Sequence, residues 1–325
     1  MKFSVVIPAY NVADYLEKCV SSVVSQSCED WEAILVDDGS TDGATGALCD
    51  ALAARRSEKI RVIHQSNGGL GAARNTGLEA ARGDYLVFLD SDDYIAPDML
   101  QCLARRIDKT HCDIYSFGFF VDQDGAISAP HLDDLPVGKP FTLQEYPRLL
   151  LATPNAWNRV YRRDFFLKSG VRYPGRVWFE DIRTTMKLFA LAQSVEAIDK
   201  ALYYYVVRRG SITRSASADR NREILEAFDD LIDFYRRKDL YAQYENELCR
   251  LAIDHIYLAA SVRVLMIDRH HALLAAFAAY MQEHFPHYAC NPYLNELSRA
   301  RRVAFRLLEK RRYGLLYLLF RIKGN

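Results

Sequence analysis

The sequence has no long apolar run, no regular cysteine pattern and no net charge over its 325 residues. Its seven cysteines are scattered without a C-x-x-C pair, so we expect free thiols in a reducing compartment and neither a disulfide framework nor a zinc site. No segment approaches the roughly 18 apolar residues that a membrane span requires. The balanced charge gives no support to nucleic-acid binding. These absences indicate an ordinary folded protein, which we expect in the cytoplasm.

Basic residues are concentrated at one end of this neutral chain. Residues 299–325 carry nine Lys or Arg and one acidic residue, Glu309, so the remainder has a formal charge of −8. A single helix over 299–322 would gather six apolar residues within an arc of about 120°: Leu307, Leu308, Leu315, Leu318, Leu319 and Ile322. Such a helix is typical of binding to an anionic membrane, here the cytoplasmic face of the inner membrane, and equally of packing on the protein's own body. The sequence leaves both interpretations open.

Short apolar runs alternate with helical periodicity in the first third of the chain. The runs begin at Phe3, Ala33, Ile60 and Tyr85. Apolar strands of four or five residues separated by helices are typical of a parallel sheet covered on both faces. We therefore predict an α/β fold with a mostly parallel, Rossmann-like sheet in residues 1–110. An α+β extension in 111–215 and a helical region in 216–325 should follow.

Polar residues cluster where the four predicted strands end. The carboxyl ends of parallel strands lie along one edge of a sheet, so the loops after them should form one crevice, where open α/β sheets bind ligands. The segments are Pro8-Ala-Tyr-Asn11, Asp37-Asp-Gly-Ser-Thr-Asp42, Asn67-Gly-Gly with Arg74-Asn75, and Asp90-Ser-Asp-Asp93. Their convergence predicts a ligand site more strongly than any single motif does.

The carboxylates of Asp90, Asp92 and Asp93 should repel one another unless a cation or water lies between them. Mg²⁺ and Mn²⁺ prefer carboxylate oxygens and often complete their coordination with substrate phosphates. An EF-hand calcium loop is excluded, because Ile95 stands where that loop requires glycine. The competing interpretation is that Asp92 and Asp93 cap the helix that begins near Pro97.

Other candidate residues also have a purely structural alternative. Asp38 ends a buried strand, where a base or ribose could donate to it, whereas Ser40, Thr41 or Asp42 would serve as a cap for the helical run that follows. Glu180-Asp181 opens a helical run and fits the role of a first-turn acid. Arg208-Arg209 could clamp a diphosphate or remain in solvent. Gly69-Leu-Gly-Ala-Ala-Arg74 departs from G-x-G-x-x-G at its last position, so a dinucleotide site is not expected.

Taken together, these segments resemble family 2 glycosyltransferases of the GT-A fold, bacterial enzymes that build surface polysaccharides. The matching segments occur in the family's order: Ser4–Asn11, Val36–Asp42, Asn67–Gly77, Gly83–Asp93, Trp157–Tyr161 and Phe179–Asp181. Tyr204–Thr213 fits the loop that follows in the family. The resemblance says little about the helical third of the chain.

The resemblance implies a role for each candidate. Three residues would hold the nucleotide base and ribose: Pro8, Tyr10 and Asp38. Three arginines would contact the donor: Arg74, Arg208 and Arg209. A divalent cation, Mn²⁺ or Mg²⁺, would be held by the D-x-D element, with Asp92 as the main ligand and Asp90 beside it. Asp181 would be the catalytic base.

The implied reaction is an inverting transfer of a sugar from a nucleotide-diphosphate sugar, expected to be a UDP-sugar. The acceptor would be a hydroxyl of a glycan or of a polyprenyl-linked saccharide. Processive members of the family have a Q-x-x-R-W motif and membrane spans, which this sequence lacks, so we expect one sugar per encounter. Two alternatives remain: a nucleotidyltransferase acting on a sugar phosphate, and a catalytically silent homologue that serves as a scaffold.

Overall fold

The computed structural model describes residues 1–208 and 218–323. The chain forms two compact units, Met1–Ser211 and Ile212–Asn325. A further division of the first unit at residue 110 stays a prediction. All seven cysteines lie in the described residues, and all are free thiols.

The first unit is built on one mixed sheet of nine strands. These are β1 Phe3–Ala9, β2 Trp31–Asp37, β3 Ile60–His64, β4 Tyr85–Phe88, β5 Tyr94–Ile95, β6 Ile114–Gln123, β7 Ala126–Ile127, β8 Arg159–Arg162 and β9 Val195–Val206. Their order is β3-β2-β1-β4-β8-β6-β9-β5, with β7 on β6. Strands β1 to β4 are mutually parallel, as are β6 and β9, whereas β8 is antiparallel to both neighbours. The predicted α/β class is confirmed.

Helices connect the parallel strands. They are α1 Ala13–Val24, α2 Thr45–Ala54, α3 Leu70–Ala80, α4 Met99–Thr110, α5 Arg163–Ser169 and α6 Glu180–Leu191. A 3₁₀ turn, Pro147–Leu151, lies between β7 and β8. The apolar runs are strands because β1, β2 and β4 are buried along their whole length. Such strands gain their stability from covering both faces of the sheet.

Strand β1 continues through a proline. Pro8 pairs with Val36 of β2, whereas the pairing of β1 with β4 ends at Val6. The missing N–H of Pro8 therefore removes no hydrogen bond on the β4 side. This is why the strand reaches Ala9 instead of ending at the proline, and it carries the following residues to the edge of the sheet.

The second unit is helical, as predicted. Its α-helices are α7 Glu223–Arg237, α8 Tyr241–Ala252, α9 Ser261–Ile267, α10 Leu273–His284, α11 Arg299–Glu309 and α12 Tyr313–Lys323. A π-helical segment, Ile253–Ala260, joins α8 to α9. Short 3₁₀ turns occupy Asp219–Arg222, Tyr288–Cys290 and Pro292–Glu296. Among the described helices, none is both long and apolar enough to cross a membrane.

The single basic helix expected over 299–322 is wrong. Two helices, α11 and α12, occupy this segment instead, and they are separated at Arg311, which has a left-handed φ of 51°. The predicted apolar arc is divided as a result. Leu308 is buried, but Leu315, Leu318 and Leu319 are 52%, 55% and 40% exposed.

Candidate active site

The loops that leave β1 and β2 are tied together at the carboxyl edge of the sheet. The backbone N–H of Asp38 donates to the carbonyl of Ala9 at 2.9 Å. Asn11, at a left-handed φ of 53°, accepts from the N–H groups of Thr41 at 2.8 Å and Asp42 at 3.2 Å through Oδ1. Tyr10 lies between these anchors with 46% of its surface exposed. A rigid rim therefore carries an exposed aromatic ring.

Asp38 joins this rim to the start of α3. Its Oδ1 accepts from the N–H of Gly68 and from Nε2 of Gln65, at 2.8 and 2.6 Å, and its Oδ2 accepts from the N–H of Gly69 at 2.8 Å. Gly69 has a φ of 86°, and a Cβ there would lie 2.7 Å from the backbone nitrogen of Arg176. A carboxylate offers about four lone pairs. Asp38 uses three of these lone pairs to accept the hydrogen bonds from Gln65, Gly68 and Gly69. Its contact with a nucleotide stays a prediction.

The neighbouring acids of the β2 loop have structural partners. Oδ2 of Asp37 lies 2.9 Å from Nδ1 of His64, and its Oδ1 accepts from the N–H of Ser40 at 3.0 Å. Burial would raise the pKa of Asp37, but the bonds from Ser40 and His64 outweigh it and lower that pKa. Oδ1 of Asp42 accepts from the N–H groups of Ala44 and Thr45, at 3.0 and 2.9 Å, so Asp42 supplies an acceptor at the start of α2, whose N-cap residue is Ala44.

Arg74, on α3, is the centre of a buried charge cluster. Its side chain is 1% exposed and lies 5.2 Å above the ring of Tyr173. Nη2 donates to Oδ1 of Asp90 at 2.9 Å, and Nη1 donates to Oε1 of Glu180 at 3.0 Å and to Oδ1 of Asp181 at 2.7 Å. One guanidinium therefore serves three carboxylates, which leaves a net charge of −2 when all are ionised. That excess of negative charge suits a cation.

The acidic pair of this cluster opens α6. Phe179, with a left-handed φ of 64°, precedes the helix, and no side chain caps it. Oδ2 of Asp181 accepts from the N–H of Ala156 at 3.2 Å. Burial and the charge of Asp181 raise the pKa of Glu180 to about 7, and burial also raises the pKa of Asp181. A carboxylate held this way is a better proton acceptor than one in water.

The three aspartates after β4 have different environments. Asp93 is buried, and its carboxylate accepts from the hydroxyl of Tyr203 and the N–H of Val206, both at 2.7 Å. Asp90 and Asp92 are 22% and 21% exposed. Burial and the charge of Asp90 raise the pKa of Asp92. None of the three caps α4, because the helix begins at Met99 and the N–H of Leu100 in its first turn donates to Oε1 of Gln26 at 2.9 Å.

Arg208 connects the end of β9 to this group. Its Nε donates to Oδ2 of Asp92, and its guanidinium carbon lies 5.1 Å from the ring centre of Tyr15 on α1. Arg209 lies outside the described residues.

The structure brings most of the predicted site residues together. Direct contacts join Asp90, Asp181 and Arg74, and Arg208 joins Asp92. Asp38 holds the start of the helix that carries Arg74, whereas in the described part of the chain no hydrogen bond links Tyr10 to Asp90, Asp92 or Asp181. Three further residues support the charged cluster: Ala156, Tyr173 and Tyr203. The sequence did not indicate them, because no local pattern distinguishes them.

Within residues 1–208 and 218–323, no group of three or more His, Cys, Asp or Glu side chains is arranged to hold a metal ion. Asp90 and Asp92 would thus bind a divalent cation only together with water or phosphate oxygens. Mn²⁺ and Mg²⁺ commonly bind with such shared coordination.

Comparison with known proteins shows the family and the fold of this chain. Residues 4–170 match the model of glycosyl transferase family 2. The glycosyltransferase EpsJ of Bacillus subtilis is 34% identical over 218 residues, or 65% of this chain and 62% of EpsJ, so the match spans less than two thirds of that relative. TarS 1–349 of S. aureus, solved with UDP, superposes with a TM-score of 0.73 at 22% identity, covering 100% of this chain and 92% of that one.

A second solved structure has the same fold at greater distance. The mannosyltransferase PcManGT of Pyrobaculum calidifontis, in complex with GDP-Man and Mn²⁺, has a TM-score of 0.56 at 18% identity over 98% of this chain and 86% of that one. At these identities the two structures establish the fold alone. The chain has the GT-A fold and belongs to glycosyltransferase family 2.

Proposed function

We propose that this protein transfers a single sugar, with inversion, from a nucleotide-diphosphate sugar to a hydroxyl of a glycan or polyprenyl-linked acceptor in bacterial surface-polysaccharide synthesis. The observation that carries the proposal is the cluster in which Arg74 holds Asp90 and Asp181 together. It unites the D-x-D segment and the acidic pair of the family at one crevice. A UDP-sugar is the expected donor, because TarS, of the same fold, is described with UDP.

On the donor side, Asp92 and Asp90 would hold Mn²⁺ or Mg²⁺ with the diphosphate. Such a cation would neutralise the negative charge that grows on the diphosphate as it leaves. The fit rests on the unbalanced charge around Arg74 and on the partial exposure of both aspartates. Without a cation, these carboxylates would repel the donor.

The nucleotide would lie against the rim of Pro8, Tyr10 and Asp38. The exposed ring of Tyr10 offers a stacking surface for the base, and the fourth lone pair of the buried Asp38 would accept from a ribose or base donor that enters the rim. Arg208, now paired with Asp92, has the reach and charge to contact the diphosphate, and we assign Arg209 the same role.

On the acceptor side, Asp181 would take the proton of the attacking hydroxyl. Arg74 and Ala156 fix both of its oxygens, so its orientation is set before the acceptor arrives. We assign Arg74 this positioning role together with electrostatic influence on the donor, since its guanidinium is buried among carboxylates.

A nucleotide-sugar panel with and without Mn²⁺ or Mg²⁺ tests the proposal. We expect metal-dependent release of a nucleoside diphosphate, which Asp92→Asn lowers at least tenfold. The exposed carboxylate variant Asp98→Asn should leave the rate unchanged. Pyrophosphate release from a sugar phosphate and a nucleoside triphosphate would indicate a nucleotidyltransferase instead. Absence of any turnover and of any nucleotide binding would indicate a silent scaffold.

We also propose that α12 binds the cytoplasmic face of the membrane. Leu315, Leu318 and Leu319 are exposed, and Leu315 borders a concavity of about 760 Å³ lined by basic residues. Four of them make no ion pair in the described part of the chain: Arg269, Lys310, Arg311 and Arg312. Exposed leucines beside uncompensated cations fit an anionic lipid surface.

A further inference from the structure

Five aromatic rings form a continuous strip beside the acidic cluster. The strip comprises Phe119, His131, Trp157, Tyr203 and Tyr205. Trp157 stacks on Tyr203 at 4.4 Å and on Tyr205 at 5.8 Å between ring centres, with interplanar angles of 18° and 11°. Phe119 meets Trp157 edge-on at 4.9 Å, and His131 stacks on Phe119 at 5.0 Å.

The inner end of the strip contacts the catalytic region directly. Tyr203 is fully buried; its hydroxyl donates to Asp93 and accepts from the backbone N–H of Asp90 at 3.2 Å. Trp157 immediately follows Ala156, whose N–H donates to Asp181. The strip therefore starts within one residue of a group that holds the proposed base.

The outer end of the strip is open to solvent. Tyr205 and Phe119 are partly exposed and His131 is exposed. The place of His131 is fixed, because its backbone exchanges two hydrogen bonds with Phe119, at 3.0 and 2.8 Å. Gly118 permits this approach, since a Cβ there would lie 2.5 Å from the carbonyl oxygen of His131. The rings are thus held on the sheet in a built arrangement.

The two faces of β9 provide an internal comparison. Tyr203 and Tyr205 point to one side of the strand, and Tyr204 between them points to the other, as strand geometry requires. Tyr204 stacks instead on Tyr94 at 4.5 Å and on Phe120 at 5.0 Å. The first face reaches Asp90 and Asp93 through Tyr203, whereas on the second face the hydroxyl of Tyr94 donates to Asp122 at 2.8 Å.

We infer that the aromatic strip is the binding site for a pyranose ring of the acceptor, an inference that rests on the proposed function. Aromatic rings with one open face bind the C–H face of a sugar while the hydroxyls at its edge remain hydrated. The accessible rings are Tyr205, Phe119 and His131, and a pyranose lying on one of them would be held beside the buried Trp157, which follows the residue that orients Asp181. The acceptor class is therefore a saccharide, in preference to a bare lipid or a protein side chain.

Saturation-transfer NMR with the methyl pyranosides of glucose, galactose and N-acetylglucosamine tests the inference without requiring turnover. We expect transfer to the ring C–H protons of at least one pyranoside in the wild-type protein. Tyr205→Leu and His131→Leu should each weaken binding about threefold to tenfold. Tyr205→Phe keeps the aromatic ring and should bind the pyranoside as the wild type does. The matched variant Tyr204→Leu should also bind it like the wild type.

Three results would overturn the inference. They are no saturation of any pyranoside in the wild-type protein, equal losses in Tyr204→Leu and Tyr205→Leu, or a weakened affinity for UDP in Tyr205→Leu that assigns the strip to the donor base. If Tyr205→Leu does not fold by its thermal unfolding curve, the exposed residue His131 still decides. Pyranoside binding without any nucleotide-sugar turnover would keep the saccharide site and reject the proposed function, so the two failures are distinguishable.

Discussion

Nη1 of Arg74 lies 2.7 Å from Oδ1 of Asp181, although the two residues are 107 positions apart in the chain. The same guanidinium donates to Asp90 at 2.9 Å, so the buried side chain of Arg74 on α3 links the loop after β4 to the acidic pair of α6. Removal of the Arg74 side chain would leave the carboxylates of Asp90, Glu180 and Asp181 close together in a site that excludes most water.

Arg74→Met should therefore be strongly destabilising. Removal of one partner from a buried ion pair costs about 3–5 kcal/mol, because it leaves an uncompensated buried charge. Urea unfolding of wild type and variant measures this difference. Arg172→Met is the matched control, because Arg172 and Glu79 form a pair that is 36% and 59% exposed and worth less than about 1 kcal/mol. Similar losses in both variants would contradict the central position of Arg74.

Gly69→Ala should both destabilise the protein and weaken nucleotide binding. The backbone at Gly69 has a φ of 86° and no room for a Cβ, so we expect a loss of about 1–3 kcal/mol. The same change displaces a donor to Asp38. Gly125 has a φ of 88° in open space, so Gly125→Ala should cost stability without altering the affinity for UDP. Calorimetric titration with UDP compares them, and equal affinities would remove Asp38 from the nucleotide site.

The sequence predicted the start of the fold well for a physical reason. Strands β1 to β4 are buried on both faces, so each is an unbroken apolar run, and their helices have clear periodicity. β8, which reads Arg-Val-Tyr-Arg, has no such run, and it was not predicted as a strand. The break between α11 and α12 was missed because the leucine spacing continues through it, and only the left-handed backbone at Arg311 reveals it.

The position of the site could be predicted from the sequence, but the contacts between its residues could not. Aspartates at strand ends signal a crevice, because parallel strands share one carboxyl edge. The sequence assigned Arg74 to the donor, however, and gave no sign that it is buried with Asp90 and Asp181. Contacts between residues about 16 and 107 positions apart follow from tertiary packing, which local spacing does not encode.

The stability contributed by His64 should depend on pH. Hydrogen bonds to Asp37 and Asp50 favour the charged imidazolium and raise the pKa of His64. Its contribution is therefore fully present below the unfolded pKa of about 6.5 and is lost as the pH rises through the higher folded pKa. We expect the difference in unfolding free energy between wild type and His64→Gln to be larger at about pH 5.5 than at about pH 8.5. A difference that grows with pH would contradict this.

Binding of α12 to membranes can be tested by a single exposed leucine. Leu318→Ser should reduce flotation with vesicles that contain anionic phosphatidylglycerol, because Leu318 is 55% exposed on α12, the helix whose Leu315 lines the basic concavity. Ile127→Ser, at a residue 46% exposed in the first unit, is the control and should float like the wild type. Truncation before α11 is a poorer test, because Phe305 and Leu308 are buried. Equal flotation of all three proteins would reject the membrane proposal.

The most direct test of the account is the kinetics of Asp181→Asn. Asparagine keeps the size of the side chain and one acceptor oxygen for Arg74 or Ala156 but does not accept a proton at neutral pH. Donor affinity, measured by titration with the nucleotide sugar and Mn²⁺, should change less than about threefold. The turnover number should fall at least about a hundredfold, as expected for loss of a general base. Full turnover with unchanged donor affinity would contradict the assignment of this cluster as the catalytic site.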